Sequence, residues 1–297
     1  MSPAKIKDTD LHEDFEVNRP AGENFDPKTY LDNYRLYKSI LAEAPENELI
    51  KRGWIEKDNI NYSLISLFNN IQQNNLKGLC RKANTSNNAL CAIWQTRILT
   101  NAQLAITTQD ISPFDGINIQ YLREIVRLSP NPEVILELPN ILAQIGIVLI
   151  YERSLPAMKL DGVVFKIANN QPVIGLSFRY KRLDYFWFTL LHELAHIALH
   201  FGHLNTPIFD DMDEENTDIL ELQANKVAKD AIADKWKWRN CKAKYTNDEQ
   251  DIIEFAQECE VHPALIAGLL QREKNAYQLF RKITDQIDVR EMVFGDE

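Results

Sequence analysis

The run Leu190-Leu191-His192-Glu193-Leu194-Ala195-His196 sets two histidines and a glutamate inside an otherwise apolar stretch. No other segment constrains the fold as tightly. On a helix, residues four apart lie about 40° apart around the axis and one turn removed. His192 and His196 can therefore reach one ion. Glu193 projects beside them, where its carboxylate can contact a metal-bound water. In this HExxH spacing two imidazoles bind zinc and the glutamate acts as general base. Leu191, Leu194, Ala195 and Ala198 give the helix an apolar face to anchor it in a core. The plainer reading is an amphipathic helix with histidines toward solvent. Only six histidines occur in 297 residues, and finding these two in an apolar run favours the metal.

Zinc needs a third protein ligand and keeps its fourth position for water. The spacing leaves His200, His203, Asp218 and Glu221 as candidates. The metzincin pattern HExxHxxGxxH requires glycine three residues after the second histidine and histidine six after it. Leu199 and Gly202 stand at those positions, and His203 comes one residue late, so that class is disfavoured. Glu221 opens a second helical segment, 25 residues after His196. A carboxylate on a helix packed against the first is a sound ligand. The competing reading assigns it to the acidic stretch Asp210 to Glu221.

The flanking sequence predicts an α+β architecture with two domains and a tail. Residues 1–28 are polar and acidic and can bury little, so they read as a flexible tail. Residues 29–111 read as a helical N-terminal domain. Apolar residues recur at helical spacing at Tyr30, Tyr34 and Tyr37, at Leu64, Leu67, Phe68 and Ile71, and at Leu90, Ile93, Trp94 and Ile98. Ser112-Pro113 marks the boundary, and residues 112–297 form the third unit. There Pro132 opens a helix through Gln144 that ends at Gly146, and Ile147 to Tyr151 reads as a buried strand. Gly162–Ile167 and Val173–Phe178 read as a strand pair. Helices follow over Tyr185–Phe201 and Asp218–Ile232, and Thr246-Asn247-Asp248-Glu249 signals a capping box for another.

Composition narrows the function classes. The net charge of −10 argues against general phosphate-backbone binding. Cys80, Cys91, Cys241 and Cys259 form no CxxC pair, so a thiolate zinc site is disfavoured and reduced thiols are expected. No stretch approaches 18 apolar residues and the N-terminus has no signal-like apolar run, which points to the cytoplasm.

The motifs resemble those of a known family. Arg179-Tyr180-Lys181-Arg182-Leu183-Asp184-Tyr185-Phe186-Trp187-Phe188-Thr189 leading into His192–His196 is similar to the ImmA/IrrE metallopeptidases. Glu221-Leu222-Gln223-Ala224-Asn225-Lys226-Val227-Ala228 resembles that family's ExxAN helix. The likeness extends through Lys51–Ile55, Arg81 to Trp94 and Phe255 to Gln271, similar to a long subtype found behind HigA-like helix-turn-helix regulators. The resemblance implies a zincin-like metallopeptidase domain, one zinc ion per chain and Glu221 as third ligand. It also implies proteolysis of a transcriptional repressor or antitoxin in prophage, mobile-element or stress regulation. The subtype's DNA-binding domain has no counterpart in residues 1–28, so direct DNA binding is not expected. Ala233-Asp234 replaces a proline that often follows the ExxAN helix, a minor departure.

The expected mechanism is attack of zinc-activated water on a peptide carbonyl, with Glu193 moving the proton to the leaving amine. Arg179 and Tyr180 are candidate oxyanion or substrate contacts, or caps of the preceding strand. The rival function is a non-catalytic zinc-containing regulator that binds a partner protein stoichiometrically. Three further features have a functional and a plain reading. Val173–Phe178 is either a substrate-capturing edge or an interior strand. Glu254 to Gln271 has helix-turn-helix cadence, or is a packed helical pair. Lys235-Trp236-Lys237-Trp238-Arg239 is a basic-aromatic cluster, or a loop with tryptophan anchored in the core.

Overall fold

The computed structural model describes residues 27–73, 88–167, 170–210 and 218–295. The expected acidic tail lies outside them up to residue 26, and Pro27 and Lys28 already belong to the first helix. Cys80 and the likeness over residues 81–87 also lie outside.

A sheet of four strands organises the molecule: β1 (Val148–Tyr151), β2 (Gly162–Lys166), β3 (Pro172–Leu176) and β4 (Ile208–Asp210). Their spatial order is β1-β3-β2-β4. β3 runs parallel to β1 and antiparallel to β2, and β4 lies antiparallel on the far side of β2. β3 is therefore interior, and its backbone is already paired on both sides, so it offers no edge to an incoming peptide. β4 ends at Asp210, where the acidic stretch begins. Three residues carry too little alternation to announce a strand.

Alternation of side chains across the strands divides the core in two. Leu149, Val164, Ile174 and Leu176 face one cluster, and Val148, Val163, Phe165 and Val173 face the other. The second cluster is closed by four helices: α1 (Pro27–Glu43), α2 (Glu46–Lys51), α3 (Ile60–Gln73) and α4 (Asn88–Thr108). The stripes read in the sequence supply it, with Tyr37, Leu64, Phe68, Ile93, Trp94 and Ile98 buried; Tyr34 is exposed. Gly175 lets α4 approach the sheet, since a Cβ there would press on Ile98 at 3.0 Å. Trp94 Nε1 donates to the Glu152 carbonyl at 3.0 Å, and Arg52 donates to the carbonyls of Arg153 and Ser154. The N-terminal helices and the strands thus share one core.

The other face carries α5 (Ile119–Val126), α6 (Leu138–Ala143), α7 (Leu183–His200) and α8 (Ile219–Ile232). The helix expected from Pro132 to Gln144 is divided into a 3-10 turn, Pro132–Leu136, and α6. Pro139 has no N–H to donate and its ring crowds the preceding turn, so one continuous helix cannot form. The short helices α9 (Lys235–Arg239) and α10 (Ala243–Thr246) follow. Next come α11 (Glu249–Cys259), α12 (Pro263–Lys274), α13 (Arg281–Thr284) and α14 (Val289–Phe294). Asp248, not Thr246, caps α11 by accepting from Gln250 N; Thr246 instead closes α10 and donates to Asp251. The helix-turn-helix cadence is a packed pair, because α12 is buried from Ala264 to Gln271. Trp238 is buried and donates to Glu273, while Trp236 lies exposed beside it. Cys241 and Cys259 are free thiols, and Cys91 is buried. Among the described residues no helix is long and apolar enough to cross a membrane.

Two predictions follow from the shared core. A chain starting at Ser112 exposes Val148, Val163, Phe165 and Val173 to water, so it should aggregate or melt well below the full chain in thermal unfolding. Ile98→Ala should cost about 2–5 kcal/mol in denaturant unfolding; wild-type stability in both variants would make the N-terminal helices a separate module.

Candidate metal centre

α7 is central because it is apolar on nearly every side. Leu190, Leu191, Leu194 and Ala195 are fully buried, and so are His192, Glu193 and His196. The polar stripe of the helix therefore meets protein rather than solvent. α8 covers it, contributing the small buried residues Ala224 and Ala228 together with Glu221. Asp218 is the N-cap of α8 and accepts from Leu220 N at 3.0 Å. That cap sets Glu221 in the first turn, aimed at α7.

The histidine rings and the carboxylate converge. His192 Nε2 lies 2.9 Å from His196 Nε2 and 3.1 Å from Glu221 Oε2. His196 Nε2 lies 3.5 Å from Glu221 Oε2. Two zinc bonds of 2.0–2.1 Å at a tetrahedral angle set their donor atoms about 3.3 Å apart. The three separations bracket that value. Of the four candidates for a third ligand, Glu221 is the one brought into the cluster.

The outer partners orient the rings. An amide oxygen only accepts, so His192 Nδ1–H donates to Asn225 Oδ1 at 3.0 Å and leaves Nε2 with a bare lone pair. By the same logic His200 Nε2–H donates to Gln223 Oε1 at 2.9 Å. His200 Nδ1 is then an acceptor, and His196 Nδ1–H donates to it at 3.1 Å. His196 Nε2 is left bare as well. Two lone pairs and a carboxylate oxygen thus point at one spot, an arrangement that a divalent cation compensates. His200, weighed as a ligand, instead holds His196 from behind.

Electrostatics agree with that donor set. Burial acts to raise the Glu221 carboxyl, but its close approach to the His192 and His196 rings holds it at about 2. Burial lowers His196 below the ordinary histidine value. The carboxylate is anionic and the imidazole neutral at neutral pH, the forms a metal requires.

Glu193 sits against the start of β2. A Cβ at Gly162 would collide with the Glu193 carboxylate and the Thr189 methyl, so only glycine leaves room there. The sequence signal for Gly162 was a strand start, with nothing to mark it as a neighbour of the site. Arg179 and Tyr180 lie in the segment between β3 and α7, before the helix begins. Arg179 Nη1 lies 3.3 Å from Asp161 Oδ2, and the Tyr180 and Tyr185 rings stack at 4.2 Å. These side chains and Thr189 line a small recess.

Metal binding should report these roles separately. His192→Ala and Glu221→Ala should abolish stoichiometric zinc in metal analysis. Asn225→Ala and His200→Phe should weaken zinc about 10–100-fold in chelator competition while leaving the fold intact. Because the His196 pKa is depressed, protons compete only at lower pH. Zinc should stay bound as pH falls through the ordinary histidine value of 6.5 and leave below it.

Comparison with known proteins agrees with this geometry. The family model described as the IrrE N-terminal-like domain, a peptidase family, matches residues 143–267. That span contains β1 to β4, α7, α8 and all three converging residues. No curated protein matches the chain. Over residues 143–267 the chain is thus similar to that peptidase domain, a likeness consistent with a metallopeptidase domain of the ImmA/IrrE family.

Proposed function

We propose that this protein is a zinc-dependent endopeptidase of the cytoplasm that cleaves a peptide bond in a transcriptional repressor or antitoxin, in prophage, mobile-element or stress regulation. The observation that carries the reading is the buried triangle of His192, His196 and Glu221, with Glu193 on the same helix beside it. The match to a peptidase family over the same residues supports it.

Zinc held by the three side chains would supply a Lewis acid that lowers the pKa of water to about 7 and polarises a carbonyl. The rest of the work belongs to this chain. Glu193 accepts a proton from the attacking water and passes it to the leaving amine. Gly162 keeps the space into which that carboxylate fits. Asn225 and the His200–Gln223 relay hold the imidazoles in the tautomer that presents Nε2. Arg179 and Tyr180, at the end of β3, are placed to contact the substrate; the 3.3 Å contact with Asp161 fixes the Arg179 guanidinium in orientation.

Glu193→Gln preserves shape but removes the proton acceptor. It should retain zinc and unfolding temperature and lose at least about 100-fold in cleavage rate. Gly162→Ala should do the same by displacing Glu193. The assay is incubation with a candidate repressor or antitoxin, with and without chelator, read by mass spectrometry. Stoichiometric complex formation without cleavage, unchanged in Glu193→Gln, would establish the binding-module alternative instead.

A further inference from the structure

The side of the sheet nearest Glu193 is already occupied. We infer that β4 is an autoinhibitory strand: it holds the place along β2 where the substrate chain pairs, and it leaves before that chain can enter. This rests on the endopeptidase reading above. Gly162, the first residue of β2, lies directly against the Glu193 carboxylate. β3 covers one side of β2 and β4 the other. β4 runs antiparallel, with Asp210 in register with Gly162, Phe209 with Val163 and Ile208 with Val164. An extended peptide added to this side of β2 would run past Glu193. Added to β1, the opposite edge, it would be separated from Gly162 by β1 and β3.

The centre is also closed. His192, Glu193 and His196 have no exposed surface, and Glu221 is 4% exposed. A scissile carbonyl cannot meet the donor set without a movement of the protein. α7 and α8 carry the donor set itself, and β3 is buried at every residue. β4 is the element built to move. Among the described strands it pairs only with β2, and over three residues. Pro207, just before it, has no N–H to donate, and Ile208 is half-buried. Leu204, by contrast, is fully buried, and its carbonyl accepts from Lys166 N at 2.9 Å. The segment is anchored at Leu204 and lightly held beyond it, as a strand that swings out requires.

The exchange is close to balanced. A bare β2 edge would present unpaired N–H and C=O groups and would accept any strand that met it. β4 satisfies those groups while the protein rests. A substrate strand that takes its place restores the same main-chain pairing, so the net cost is mainly that of ordering the peptide. Main-chain pairing selects an extended backbone rather than a sequence. The substrate class is therefore a protein that offers an unfolded or extended segment, and a folded helix is excluded.

The test has three arms on the full chain. In native-state hydrogen exchange of the wild type, the amides of Ile208–Asp210 should exchange at least about 100-fold faster than those of β3, by local detachment. In the second arm, the Glu193→Gln chain is titrated with a fluorescein-labelled peptide copying residues 206–211. Adding Phe209→Pro, which removes an N–H and bends β4, should tighten binding at least about tenfold because the edge is vacated. A copy of the peptide N-methylated at two consecutive positions, one of which must donate to β2, should not bind. In the third, zinc-loaded Phe209→Pro should cleave denatured casein at least about tenfold faster than the zinc-loaded wild type. β4 amides as protected as those of β3 overturn the autoinhibitory strand, and this arm needs no substitution. Peptide affinity equal in the two chains or unmoved by N-methylation overturns it as well, and so does casein cleaved no faster by the variant. Peptide capture by the vacated edge, with casein and the candidate repressor left intact by both chains, upholds β4 as the guard of that edge and overturns the peptidase reading alone.

Discussion

The contact between α7 and α8 carries the rest of the structure. Two imidazoles and a carboxylate are removed from water along that contact, and each costs free energy unless compensated. Small residues make the approach close: Ala195 on one helix and Ala224 and Ala228 on the other are almost wholly buried. The closeness brings Glu221 Oε2 within 3.1 Å of His192 Nε2. It also brings Asn225 and Gln223 within reach of the histidine network. The face of α8 that supplies the carboxylate thus supplies the groups that orient its partners, and the compensation for burial and the order of the site have one origin.

The sheet transmits this arrangement to the remainder of the chain. One face receives α7 and the other receives α4, and glycine appears where each helix comes nearest. Gly175 admits Ile98, and Gly162 admits the Glu193 carboxylate. The N-terminal helices therefore hold the opposite side of the strand whose first residue bounds the centre.

The approach to α7 is organised from the far end of the chain. Arg182 forms a paired contact with Asp184 in the first turn and reaches Gln271 of α12 at 2.6 Å. Val289 N donates to the Lys181 carbonyl at 2.8 Å, and Arg290 clasps the two preceding carbonyls. The segment between β3 and α7 is consequently gripped by α12 and α14 rather than left as a loose connection. The wall of the recess depends on this grip.

The sequence alone determined what is local. The four-residue spacing of His192 and His196 follows from the helical repeat, and the stripes at Leu64 and Phe68 or at Ile93, Trp94 and Ile98 declare which sides are buried. Short apolar runs bounded by turn residues announced β2 and β3. Tertiary structure decided what depends on distant segments. Spacing left His200, His203, Asp218 and Glu221 open, and only the packing of α8 on α7 brings Glu221 to the rings while turning His200 to the back of His196. β4 is held by its pairing with β2, so three residues read alone could not reveal it. Gly162 reads as an ordinary strand start until α7 is laid across it. Arg290 has no neighbour in sequence that marks its role, yet it fixes carbonyls more than a hundred residues away. A periodic pattern is written in neighbouring residues, whereas a donor set and a cavity wall are sums over segments that meet only when the core closes.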